Sequence, residues 1–188
     1  MIEPSKITVK TSFKYIIAID PGKNGGMCLK TPDGYSLHKM PESFEGFSKW
    51  VDRHAMGKGE NTICFIERIS AFAGDHFNPG RQFQLQKLFN MYQKLRTYFQ
   101  MKDIPCIVIS PPSWQNGLNL VLPKEQSKKE TNSERKNRYK NAAKRIVPSL
   151  DVFLWGADAV LIMAYAKRKM DVDNTWILTE LEKNTDNF

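Results

Sequence analysis

The stretch Tyr15-Ile-Ile-Ala-Ile19, closed by Asp20-Pro-Gly22-Lys-Asn-Gly25-Gly26, decides how this chain folds. Five uncharged residues, three of them β-branched, predict a strand buried on both faces. Proline and glycine then stop it, which leaves Asp20 at the strand's exit on a rigid turn. In open α/β sheets, ligands bind beyond the carboxyl ends of the strands. Gly22, Gly25 and Gly26 allow backbone and ligand to approach closely.

Downstream, Gly26-Met-Cys-Leu29 and Tyr35-Ser-Leu37 flank the turn Pro32-Asp-Gly34 and predict an antiparallel hairpin. Ser43 to about Met56 carries Phe44, Phe47, Trp50 and Val51, the stripe of an amphipathic helix with Ser43 as its cap. Thr62-Ile-Cys-Phe-Ile66 predicts a second buried strand with Glu67 at its end. A polar, Gly-containing loop spans Ser70 to Gly80, and a helix is expected from Arg81 to Met101. That helix carries Phe83, Leu88, Tyr92, Leu95 and Phe99 on one stripe. Ile104 to Ile109 predicts another strand. Ala157 to Lys169 predicts a final apolar helix, followed by a frayed tail. Strand, hairpin, helix, strand, helix, strand, helix is the order of an α/β sandwich built on a mixed sheet.

With 188 residues and 41% hydrophobic content, the chain suits one domain with a full core. The division expected is an extension over 1–14, a domain over 15–170 and a tail over 171–188. Cys28, Cys64 and Cys106 stand singly in apolar surroundings, which excludes a zinc-finger spacing or a disulfide framework and points to a reduced, intracellular protein. No apolar run reaches membrane-spanning length. The net charge of +8 favours a polyanionic partner. Much of that charge lies in residues 123–145, which hold nine Lys or Arg against three Glu. Lys128, Lys129, Arg135, Lys136, Arg138, Lys140 and Lys144 there are candidates for gripping DNA phosphates, as is Arg81 outside the segment. Lys140 or Lys144 is also a candidate for stabilising charge that develops on a bound phosphate. A solvated loop is the plainer reading of the segment.

Three carboxylates stand out. Asp20 and Glu67 leave strand ends, and Asp158 is the lone charge in Gly156-Ala-Asp-Ala-Val-Leu-Ile-Met-Ala164. Burying such a charge without a partner is costly. Each also has a purely structural reading: an Asx-turn for Asp20, an ion pair with Arg68 for Glu67, a helix-dipole contact for Asp158. A few hard oxygen ligands, with water and phosphate completing the shell, are what Mg²⁺ prefers.

The segments Ile19-Asp-Pro-Gly-Lys-Asn-Gly-Gly26, Ile66-Glu-Arg-Ile-Ser-Ala-Phe-Ala-Gly74 and Asn78-Pro-Gly-Arg-Gln82 resemble motifs of the RuvC-type Holliday-junction resolvases of phages, viruses and organelles. So do Ile104-Pro-Cys-Ile-Val-Ile-Ser-Pro-Pro-Ser-Trp114 and Gly156-Ala-Asp-Ala-Val-Leu-Ile-Met-Ala-Tyr165, and the order is kept from about Tyr15 to Arg168. The resemblance implies a ribonuclease H-like mixed five-stranded sheet flanked by helices, and a homodimer packed through helices such as the Phe83–Phe99 stripe. It also implies Mg²⁺-dependent nicking of four-way DNA junctions, with Mn²⁺ as a substitute. Asp20, Glu67 and Asp158 become the catalytic metal ligands. That family places a fourth acidic or histidine ligand three to five positions before the last Asp, where this chain has Trp155, Leu154 and Phe153. Asp151, seven positions back, is the remaining candidate. Because Phe153 and Trp155 read as packed core, the expectation is one ion held firmly and a second weakly. Gln115 likewise stands where relatives often carry Lys.

Two other readings use the same residues: a junction-binding protein with weakened catalysis, and a phosphate loop of the actin-like ATPase kind. The second needs a duplicated domain, and the chain contains no second copy of Asp-Pro-Gly-x-x-Gly-Gly.

Overall fold

β1 (Tyr15–Ile19) lies at the centre of a five-stranded sheet of order β3-β2-β1-β4-β5. This architecture comes from a computed structural model, which describes residues 13–55, 61–69, 79–173 and 175–185. β2 (Gly26–Thr31) and β3 (Gly34–Lys39) form the expected hairpin, antiparallel to β1 and to each other. Gly34 adopts φ +142°, a conformation that disfavours side chains, where the hairpin turns back. β4 (Thr62–Glu67) runs parallel to β1, and β5 (Cys106–Ile109) parallel to β4. The mixed sheet flanked by helices is therefore as expected. β5 is shorter than its apolar run, because Pro105 interrupts the run and Asp103 takes a left-handed turn at φ 52°.

Strand alternation splits the core into two layers. Ile17, Ile19, Cys64, Ile66 and Val108 face α1 (Phe44–Ala55) and α2 (Pro79–Met101). The Ser43 hydroxyl accepts from the Gly46 amide at 3.1 Å, capping α1 as expected. Ile16, Ala18, Ile63, Phe65, Ile107 and Ile109 face the other helices: α3 (Pro111–Gly117), α5 (Asn132–Ile146), α6 (Ala157–Val172) and α7 (Trp176–Thr185). The three cysteines are free, two of them buried.

Two expectations change, and the loop alternative for the basic segment falls. The basic segment is helical: α4 (Lys124–Lys129) leads into α5, which begins with a capping box in which Thr131 and Glu134 satisfy each other's backbone amides. The tail does not fray at 171. α6 runs on to Val172, and α7 docks through buried Ile177 and through Trp176, whose ring stacks on Phe65 with centroids 5.9 Å apart. Finally, Phe153 is not core. It and Leu154 are each 48% exposed, because the turn closed by the Gly156 amide on the Phe153 carbonyl displays them outward.

The α2 stripe divides along its length. Tyr92, Leu95 and Phe99 are buried against the sheet, whereas Phe83 is 62% exposed and none of the residues before Tyr92 is buried. No described helix is long and apolar enough to cross a membrane.

Candidate active site

Ile19 and Ile66 are register partners on the parallel pair β1 and β4, both facing the α1–α2 layer. The residues that follow them, Asp20 and Glu67, therefore leave the sheet side by side toward the opposite layer. α6 lies on that layer, with Asp158 in its first turn. The three are near enough to influence one another. The charge of Asp20 acts on both Glu67 and Asp158, and Asp158 acts on Glu67.

Close glycine contacts hold the three in place. A Cβ on Gly25 would sit 2.1 Å from the Asp20 carbonyl oxygen and 2.9 Å from its carboxyl carbon, so this position excludes a side chain. The Asp20 amide donates to the Gly26 carbonyl at 3.0 Å, folding the loop back beside the strand. A Cβ on Gly26 would lie 3.0 Å from the Trp155 ring, and one on Gly156 only 2.5 Å from Leu37. These contacts press the start of α6 against the β2–β3 hairpin and so fix Asp158 relative to Asp20.

The Gly22 amide does donate to Asp20 Oδ1 at 3.1 Å, so the Asx-turn exists, but it engages only one oxygen. Glu67 does not rely on Arg68, whose charge is felt by Tyr92 in the other layer. It accepts instead from the buried indole of Trp114, Nε1 to Oε1, at 2.9 Å. A carboxylate serving only the helix dipole would be held ionised. Burial, and then the charge of Asp20, push the Asp158 carboxyl up to about 7. Burial followed by Asp20 pushes Glu67 up to about 8, with Trp114 opposing, and burial raises Asp20. Three part-buried acids that resist ionising form a site that favours a cation.

That donor set suits a hard divalent cation. Among the described residues no three His, Cys, Asp or Glu side chains are grouped closely enough to enclose an ion on their own. Asp151 is exposed on the connection before α6 and is not among the charges acting on these three.

The basic candidates separate into groups. Lys136 acts on Asp20 and Asp158, and Arg135 on Asp158, so the first turns of α5 overlook the site. Lys140 and Lys144 are not among the charges acting on the three carboxylates. Lys144 instead lines an open groove on α5 with Asn137, Arg138, Asn141 and Arg145, and Lys140 is half-buried one turn beyond Lys136. Lys128 pairs with Glu125 at 3.2 Å on exposed α4, beside exposed Lys129. Arg138 is occupied: it grips Glu130 with two bonds of 2.6 and 2.8 Å and also donates to the Leu120 carbonyl. Arg81 is exposed at the start of α2, in the layer across the sheet. The motif residues from 70 to 78 lie outside the described residues.

Sequence reasoning missed Trp114. It belonged to a quoted motif, yet only the fold reveals that it spans 47 residues to reach Glu67 and packs edge-on against Tyr139 of α5, centroids 5.4 Å apart. The Ser110-Pro-Pro start of α3, with Ser110 capping the Ser113 amide, is the local signal that orients it.

This arrangement is the RuvC, ribonuclease H-like fold. The Thermus thermophilus RuvC structure in complex with a Holliday junction substrate superposes with a TM-score of 0.51 over 85% of this chain and 96% of that one, at 9% identity. A second structure of Thermus thermophilus RuvC aligns with a TM-score of 0.49 and 11% identity, over 84% and 96% of the two chains. No family model and no curated protein matches the sequence.

Proposed function

We propose that this protein is a metal-dependent endonuclease that resolves four-way DNA junctions. The observation carrying that reading is the convergence of Asp20, Glu67 and Asp158 on one sheet face, beneath Arg135 and Lys136. The fold shared with a resolvase whose structure contains a Holliday junction supports the choice of substrate.

Asp20, Glu67 and Asp158 would hold Mg²⁺, or Mn²⁺ in its place. When bound, such ions activate the attacking water and stabilise the leaving oxygen in phosphodiester hydrolysis. The chain's own contributions are distinct. The glycine contacts fix Asp20 against Asp158, Trp114 orients the Glu67 carboxylate, and Lys136 and Arg135 place positive charge where a phosphate would lie. α4 and the outer face of α5 extend that charge along a duplex arm. Paired nicking requires two sites, and the exposed first half of α2, led by Phe83, is the surface we assign to a homodimer.

A second reading has its own support. Trp155 occupies a position from which the resembled family supplies a ligand, and Asp151 is exposed, which favours a junction-binding protein with weakened catalysis. One experiment separates the two: cleavage of a synthetic four-way junction in Mg²⁺ and in EDTA, comparing wild type with Asp20→Asn. The nuclease reading expects Mg²⁺-dependent nicks that Asp20→Asn reduces by about tenfold or more while binding stays within a few-fold, because only the charge is lost. Binding without cleavage by the wild type would establish the second reading.

A further inference from the structure

Between buried Val152 and buried Gly156, the chain displays Phe153, Leu154 and Trp155 in a single turn. The rings of Phe153 and Trp155 lie stacked, with planes 5° apart and centroids 5.6 Å apart. Trp155 is mounted firmly, since its six-membered edge packs on the Gly26 backbone, the same loop that seats Asp20. Phe153 is the outer ring, 48% exposed, beside a Leu154 exposed to the same degree. Three residues past Trp155 comes Asp158, so this shelf adjoins the carboxylate cluster that Lys136 and Arg135 overlook.

A pre-stacked aromatic pair whose outer ring is exposed, on the turn that leads into Asp158, fits one occupant: a nucleobase that has left the DNA stack. Bases stack on aromatic rings regardless of sequence, because every base presents a π face. Rings already held parallel lose little freedom on accepting one more. We infer that Phe153 and Trp155 form a base-stacking shelf that takes up an unstacked nucleotide next to the scissile phosphate. This deepens the nuclease reading and rests on it for the location of the phosphate. It also assigns a use to the tryptophan that stands where the resembled family has a ligand.

The test places 2-aminopurine, a fluorescent base quenched by stacking, at the branch point of a four-way junction and, separately, in a short single strand. Binding is followed in EDTA, so that no cleavage intervenes. Quenching is expected on wild-type protein, lost in Phe153→Ala and restored in Phe153→Trp. Junction affinity should fall roughly five- to tenfold in the alanine variant, the scale of one base–aromatic stack. Melting curves establish that the variants fold, and Phe153 is exposed enough for that to hold. Junction binding and cleavage with signals indifferent to Phe153 would overturn the shelf while leaving the nuclease intact. Phe153-dependent quenching on the single strand without junction preference would keep the shelf and overturn the junction reading. Failure to bind either DNA would overturn both. A dimer that dissociates in Phe153→Ala would identify the patch as a contact between copies of the chain, and the shelf would fall.

Discussion

The indole of Trp114 donates a hydrogen bond of 2.9 Å to the carboxylate of Glu67, joining the start of α3 to the end of β4. A donor aimed at a carboxylate favours its ionised form and fixes its rotamer, both of which a metal ligand requires. Trp114→Phe keeps the ring in its buried place and deletes only the donor. We expect Glu67 to titrate higher still, and the Mg²⁺ concentration for half-maximal cleavage to rise by roughly tenfold, as happens when a group that orients a metal ligand is lost. Junction affinity in EDTA should stay within about two-fold, since the side chain is buried away from solvent. A Mg²⁺ titration of initial rates checks this. An unchanged requirement would mean that Trp114 serves packing alone.

What could be read in the chain, and what could not, divides along physical lines. Asp20 and Glu67 were visible because a buried strand leaves a signature of four or five apolar residues, and each stands where one stops. Asp158 was visible as a lone charge in an apolar helix. Trp114 escaped notice as a partner because nothing local shows a hydrogen bond made across 47 residues. Phe153 reads from sequence as core because hydrophobicity reports a preference for burial, and the turn before Gly156 overrides that preference. Arg138 reads from sequence as a DNA-binding cation because its partner Glu130 comes within reach only once α4 and α5 meet at a corner.

A pH dependence follows from the clustered acids. Glu67 is raised to about 8 and Asp158 to about 7, chiefly by burial and then by the charge of Asp20. Unfolded, they would titrate near about 4. The folded state therefore keeps protons that the unfolded state has released. The stability this gives is complete below about pH 4 and drains away as pH rises through about 7 to 8. Asp52, Glu130, Glu134 and Asp173 are held low, mainly by hydrogen bonds, and act in the opposite sense, losing their contribution as pH falls. In EDTA the melting temperature should peak near about pH 5 and decline toward pH 8. A loss of even about 2 kcal/mol would lower it by roughly 4–8 °C in a chain of this size. Glu67→Gln should flatten the decline, and so should Mg²⁺ if the cluster binds it. A profile level from pH 5 to 8 would contradict the burial of these groups.

The basic residues should behave as two classes in salt titrations. Lys136→Ala and Arg135→Ala, made together, remove the charges that overlook the carboxylates. They should weaken binding to all DNA shapes and flatten the salt dependence by about 0.9 per lost phosphate contact. Adding Lys128→Ala and Lys129→Ala should flatten it further. Arg138→Ala should leave the slope nearly unchanged and lower the melting temperature instead, because that guanidinium is committed to Glu130 and the Leu120 carbonyl. If Arg138→Ala shifts the slope as much as Lys136→Ala does, the ion pair opens in favour of phosphate.

Asp158 is half-buried and feels Asp20, whereas Asp151 is exposed and adds no charge to the cluster. Between them the chain first buries Val152 and then turns outward at Phe153 and Leu154 before returning through Gly156. The path that would have brought Asp151 across Leu154-Trp155-Gly156 is filled by Trp155 lying on Gly26. We therefore expect Asp158→Asn to reduce cleavage by about a hundredfold or more, as loss of a ligand from a metal clamp does. Asp151→Asn should remain within about two-fold of wild type, like other substitutions of exposed groups without partners. Installing the missing donor is the sharper experiment. Trp155→His places a nitrogen three residues before Asp158, one helical turn away if α6 extends backward. If the second ion is weakly held for want of a ligand, this variant should cleave at lower Mn²⁺ than wild type, even with its maximal rate diminished by the lost packing on Gly26. Equal sensitivity of Asp151→Asn and Asp158→Asn, with no gain from Trp155→His, would place Asp151 at the metal and reverse the assignment.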